Sequence, residues 1–108
     1  MLEKWMQQIE KCEVLDAKYN RYSLFWEMQV RSASGKEWTV VFTHGDGLRW
    51  VEWRVLTKDH NGYWQKHAQG VVNLDYRQRR SYPQTVIDAV KFFRKTVLPH
   101  VLTIYPEF

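Results

Sequence analysis

At 108 residues, with 44% hydrophobic and 26% charged residues, the chain has the size and composition of one globular domain with a modest core. Its single cysteine excludes an internal disulfide, and no apolar run approaches the length that spans a bilayer. The N-terminal residues also lack the apolar stretch of a signal peptide. We therefore expect a single domain over residues 1–108, a cytoplasmic location and no membrane contact.

Apolar residues at helical spacing predict an amphipathic helix over residues 2–12. The predicted buried stripe consists of Leu2, Trp5, Met6 and Ile9. Residues 13–21 are compatible either with an extension of this helix or with an extended lead-in to a strand. Tyr19-Asn20 is typical of a turn.

A period of two in hydrophobicity predicts four strands, each with an apolar and a polar face. They cover approximately residues 22–32, 36–44, 48–58 and 63–73. Ala33-Ser34-Gly35 predicts a three-residue hairpin loop, and Asp46-Gly47 and Asn61-Gly62 are typical of type I′ turns. Taken in chain order, the first turn pairs Met28 with Val40, the second pairs Val40 with Trp53, and the third pairs Trp53 with Gly70. Because a slip of one residue would turn an apolar set to water, the agreement of three turns indicates one inner face.

Residues 74–80 show no clean period and are interpreted as a connection. Ser81 and Gln84 match a capping box with Pro83 in the first turn, which predicts a helix that begins near Ser81. Pro99 disfavours helical backbone at Leu98, so this helix should stop or kink there. The tail that follows is β-prone and compatible with a short fifth strand at the C-terminus.

The expected fold class is therefore α+β. It consists of a four-stranded antiparallel meander with an N-terminal and a C-terminal helix packed on one face, in the order α-β-β-β-β-α. A sheet face that carries this many aromatic residues needs a cover, and the two amphipathic helices are the candidates. The other face is then open to solvent or to a partner.

The open sheet face is one candidate contact surface. Acidic and basic residues are mixed on this face. Phe25 and Trp50 are aromatic residues on an otherwise polar surface, as are the anchor residues of many protein–protein contacts. A loop or the C-terminal tail that covers these two rings is the alternative. The predicted contact residues on this face are Phe25, Trp50, Arg54 and His67.

A basic patch within residues 75–95 is the second candidate. The segment holds six cations against two aspartates, which equals the whole formal net charge of +4. The predicted contact residues are Arg77, Arg79, Arg80, Lys91, Arg94 and Lys95. Arginine guanidinium groups suit carboxylates and phosphates, although an ordinary solvated surface would have the same composition.

The sequence carries no motif for catalysis. The histidines lack metal-ligand spacing, and Cys12 is the only intrinsically reactive nucleophile. We expect no catalytic residue, no metal and no cofactor, and thus not an enzyme. The chain is predicted to be a protein–protein interaction domain of adaptor or inhibitor type, with a partner that is acidic if the basic patch is used. The alternative is a nucleic-acid-binding protein that contacts phosphates through residues 75–95.

Overall fold

The computed structural model describes the backbone from Leu2 to Phe108 and the side chains from Lys4 onward. Helix α1 (Leu2–Lys11) precedes a sheet with the strands β1 (Glu13–Asn20), β2 (Phe25–Arg31), β3 (Glu37–His44), β4 (Trp50–Lys58) and β5 (Trp64–Asn73). The sheet is followed by α2 (Tyr76–Arg80), α3 (Val86–Phe92), a π-helical turn (Phe93–Val97) and α4 (Leu98–Ile104). The sheet is an antiparallel meander in the order β1-β2-β3-β4-β5. The α+β class is confirmed, with five strands where four were predicted.

The fifth strand lies at the N-terminal side of the meander and not in the tail. β1 pairs with β2, and its register shifts between Val14 and Asp16. This bulge places Val14 and Ala17, three residues apart, against the same core. The bulge therefore breaks the alternation that would have identified a strand. At the other end of the chain the tail is helical as far as Ile104.

The predicted register is correct at two of three hairpins. Met28 faces Val40 and Trp53 faces Gly70, but Val40 faces Val55 and not Trp53. The loop between β3 and β4 forms a short 3₁₀ turn over Asp46–Leu48 and not a two-residue type I′ turn. The error is two residues, so the side chains of β4 keep their predicted face.

The C-terminal helical run continues past Pro99 because of the π-helical turn. The N–H of Leu98 donates to the carbonyl of Phe93, five residues earlier. Pro99 then occupies the first turn of α4, where a missing N–H costs nothing. Burial of Val101 and Leu102 overrides the β propensity of this segment.

Both helix starts after the sheet differ from the prediction. Asp75 and Gln78 form a capping box at α2, within the segment predicted to be a connection. Thr85 caps α3 by accepting a hydrogen bond from the N–H of Asp88. Ser81, the predicted cap, instead donates its hydroxyl to the carbonyl of Gln78.

The helices pack on the predicted inner face of the sheet. Phe92 of α3 lies against Phe42 with ring centroids 5.7 Å apart, and His100 of α4 accepts a hydrogen bond from Trp53. In α1, Ile9 packs against this core, whereas Met6, predicted to be buried, is exposed. The side chain of Leu2 lies outside the described side chains. The opposite face of the sheet carries charged and polar side chains.

Candidate functional site

A groove of about 760 Å³ lies between α2 and the helical run that begins with α3. Four cationic residues line it: Arg77, Arg80, Lys91 and Lys95. The lining also includes the carboxylates of Asp75 and Asp88 and the polar groups of Ser81, Gln84 and Thr85. We call this surface the basic groove. It brings together four of the six cations predicted to form the basic patch.

Local helix geometry positions these cations. Arg77 and Arg80 are three residues apart on α2, so both project from the same face. Lys91 and Lys95 are four residues apart on the second wall and also share a face. Tyr82, in the segment between the two walls, packs its ring edge-on against Phe92 of α3 at 5.3 Å. The cations therefore project from helical segments and not from an irregular loop.

The four cations of the basic groove have no acidic partner within the described part of the chain. Each ion pair found among those residues lies on the sheet, between Lys18 and Glu27 and between Arg31 and both Glu13 and Glu37. The Asp75 carboxylate is occupied by the capping bond from the N–H of Gln78. The Arg80 guanidinium lies 5.7 Å from the ring centroid of Tyr76, which is exposed. The basic groove thus presents four cations that form no direct ion pair among the described residues, with the carboxylates of Asp75 and Asp88 in the same lining.

The remaining two predicted patch residues do not line the basic groove. Arg79 donates from Nε to the carbonyl oxygen of Leu74 at 3.3 Å. Arg94 is half-buried and donates to the carbonyl oxygens of Ile9 and Cys12, at 3.3 and 2.6 Å. It therefore binds the carbonyls at the end of α1, where a cation is favourable. Charge counting along the segment could not separate this structural arginine from the solvent-facing ones.

Two of the four predicted contact residues on the open sheet face come together. Phe25 and Arg54 line a hollow of about 300 Å³ whose floor includes the buried side chain of Val41. Glu52 and Leu56 also line this sheet hollow. It is smaller than the basic groove and combines both charge signs.

The other two predicted sheet-face residues are placed differently. The indole of Trp50 packs so closely over Gly45 that a β-carbon there would overlap it, so the hairpin loop half-buries this ring. The prediction that His67 lies on the open face is wrong. A bulge after Val55 turns the His67 ring to the helix-covered side, where it meets Trp38 with centroids 5.2 Å apart.

A second hollow, of about 340 Å³, adjoins the basic groove at the end of the sheet. We call it the aromatic hollow. Its lining comprises Tyr19, Arg21, Trp26, His44, Tyr82, Pro83 and Gln84. The sequence did not indicate this surface, since residues 13–21 were not assigned to a strand that would bring Tyr19 beside the later segment. The pairing of Tyr19 with Trp26 is what positions it.

Cys12 is 1% exposed, and its burial raises the pKa of the thiol from 9.0 to about 11, so the thiolate is scarce at neutral pH. No cluster of three or more histidine, cysteine, aspartate or glutamate side chains suited to a metal occurs within the part of the chain that the structure describes. Over residues 2–108, no helix has both the length and the apolarity needed to cross a membrane.

Comparison with known proteins gives no match for this chain, whether with family models, with curated proteins or with solved structures.

Proposed function

We propose that the chain is a non-enzymatic binding module, of adaptor or inhibitor type, that holds an acidic segment of a protein partner in the basic groove. The observation that carries the proposal is the convergence of Arg77, Arg80, Lys91 and Lys95 on one concave surface with no carboxylate paired to them among the described residues. Cations that project from regular helical backbone and form no ion pair with the described residues are available for carboxylates. A reducing, cytoplasmic setting is part of the proposal and accords with one unpaired, buried Cys12.

The two aspartates in the basic groove favour a protein over a nucleic acid. Asp75 and Asp88 line the same surface as the four cations. A nucleic acid carries a negatively charged phosphate at every nucleotide, and these phosphates would be repelled by the two carboxylates. A peptide can place its acids at the cations and a neutral or basic residue at each aspartate, so it can match the pattern.

Nucleic-acid binding is the second candidate function, favoured by the local surplus of charge. Residues 75–95 hold the entire formal net charge of +4, and four of their cations face one groove. If all four neutralise phosphates, log affinity for a duplex should fall with log salt with a slope of about −4. Arg79 does not line the groove, so Arg80→Ala should flatten the slope by about one unit while Arg79→Ala should leave it unchanged.

Fluorescence anisotropy with defined probes tests both functions. The probes are a labelled peptide of glutamate and serine, a charge-reversed peptide in which lysine replaces each glutamate, and a DNA duplex. Binding is compared between the wild type, the Arg80→Ala/Lys91→Ala variant, and the matched Arg54→Ala/Lys66→Ala variant. The matched variant removes one arginine and one lysine from the sheet face, so its charge change is the same.

The proposed function predicts that the acidic peptide binds the wild type. The groove variant should bind this peptide about tenfold or more weakly, because it lacks roughly two charged contacts that contribute up to about 1 kcal/mol each. The matched variant should bind as the wild type does. An equal loss of affinity in both variants would mean that the peptide responds to the net charge of the protein and not to the basic groove. A loss in the sheet variant alone would place the contact on the open sheet face, and no binding of the acidic peptide would overturn the proposal.

A further inference from the structure

The basic groove and the aromatic hollow share two lining residues. Tyr82 and Gln84 belong to the lining of both surfaces. The segment from Tyr82 to Gln84 is therefore the divide between the two surfaces. Gln84 is exposed on it. An extended chain that occupied both surfaces would cross this divide at Gln84.

The aromatic hollow differs in chemistry from the basic groove. Its rings pack edge-to-face, with Tyr19 against Trp26 at 5.1 Å and His44 against Tyr82 at 5.0 Å. Trp26 is almost completely buried, while Tyr19 is 43% exposed and presents apolar surface to the hollow. Burial raises the pKa of the Tyr82 phenol to about 12, so this hydroxyl is neutral at physiological pH. Such surroundings suit an aromatic side chain, because ring pairs gain beyond their buried area.

One cation, Arg21, stands in the lining of the aromatic hollow, on the turn after β1. It makes no ion pair with a carboxylate among the residues that the structure describes. The surface thus combines the cations of the basic groove with the rings and Arg21 of the aromatic hollow. A ligand that fits it carries acidic residues for the basic groove, and an aromatic and an acidic residue for the aromatic hollow.

Resting on the function proposed above, we propose that the partner is an extended peptide segment that crosses Gln84. Its acidic residues lie in the basic groove, an aromatic side chain enters the aromatic hollow, and a carboxylate beyond it meets Arg21. The basic groove then supplies electrostatic steering and the aromatic hollow supplies an anchor, since a buried ring contributes more binding energy than exposed charges do.

The test uses three labelled peptides in fluorescence anisotropy. Each has a stretch of glutamate and serine, one variable position on either side of the stretch, and a glutamate outside each variable position. One peptide has phenylalanine after the stretch, one has it before the stretch, and one has alanine in both places. The protein variants are Gln84→Trp, which fills the divide at an exposed position, Arg21→Ala, and the matched sheet-face change Arg54→Ala. Thermal melts confirm that each variant is folded.

We expect one of the two phenylalanine peptides to bind the wild type about tenfold more tightly than the alanine peptide, as burial of a ring implies. Gln84→Trp should remove this advantage, so that neither phenylalanine peptide binds this variant more tightly than the alanine peptide does. Arg21→Ala should weaken the better phenylalanine peptide about threefold, whereas Arg54→Ala should not.

Equal affinity of all three peptides, or an advantage that survives Gln84→Trp, overturns this inference while leaving the acidic peptide's dependence on Arg80 and Lys91 intact. Failure of every peptide to bind overturns the proposed function as well. An unlabelled single-stranded oligonucleotide is the competitor. If it displaces the peptides and itself depends on Gln84, the occupant is a nucleic acid and the inference is wrong.

Discussion

The contact between Trp53 and Gly70 allows a quantitative test of packing in the core. The two residues face each other across β4 and β5. A β-carbon added at Gly70 would lie 2.5 Å from Cζ2 of Trp53 and 2.7 Å from its Cε2. The indole cannot easily withdraw, because it is 1% exposed and its Nε1 donates to Nδ1 of His100 at 2.9 Å. Gly70→Ala should therefore destabilise the domain by about 1–3 kcal/mol through overpacking.

The Trp53→Phe background isolates this clash. Phenylalanine has a single ring and lacks the indole atoms that approach residue 70, so Gly70→Ala should cost at least about 1 kcal/mol less there. It could even stabilise that background by up to about 1 kcal/mol, since alanine restricts the unfolded chain more than glycine does. Urea denaturation followed by far-UV circular dichroism gives the free energy of unfolding of all four proteins. A coupling free energy below about 0.5 kcal/mol would refute the reasoning.

Three further predictions concern single side chains. Trp53→Ala should cost about 3–5 kcal/mol and Trp50→Ala less than half of that, because Trp50 is only half-buried; equal losses in urea denaturation would contradict the burial pattern. Arg94→Ala should cost about 1–3 kcal/mol through the lost bonds to α1 but leave binding of the acidic peptide unchanged, and weaker peptide binding by a folded Arg94→Ala protein would contradict its structural role. Burial raises the pKa of Cys12 from 9.0 to about 11 and that of Tyr82 from 10.0 to about 12, so the native state holds these protons more tightly than the unfolded state does. The contribution of these two groups to the free energy of unfolding should therefore be complete below pH 9 and should fall as the pH rises through this range. Cys12 of the native protein should also react with iodoacetamide at pH 8 far more slowly than Cys12 of the protein unfolded in urea. Equal rates would contradict its burial.

The parity of the strands was predictable because it is a local property. In β2, the residues Trp26, Met28 and Val30 alternate with polar ones whatever the neighbouring strand does, and one buried face makes a slip of one residue costly. A slip of two residues leaves the same side chains inside. The sequence therefore determined which face of β4 is buried, but the 3₁₀ turn at Asp46–Leu48 decided that Trp53 faces Phe42.

The composition of the basic patch could also be predicted from the sequence, whereas its shape could not. Net charge is additive along a segment, so the surplus in residues 75–95 could be counted. Whether a cation faces solvent depends on which carbonyls surround it. The end of α1 takes up Arg94, and the capping box of α2 orients Arg77 and Arg80 toward Lys91.

Two features depended wholly on tertiary contacts. β1 became a strand because β2 offered an edge and the core accepted Val14 and Ala17 on either side of a bulge, although its own sequence has no clear period. The helical run continued through Pro99 because a π-helical turn moved the proline into a first-turn position. Helix propensities of residues other than proline differ by about 1 kcal/mol or less, so burial of several apolar side chains outweighs them, while proline costs about 3 kcal/mol unless it lies in a first turn.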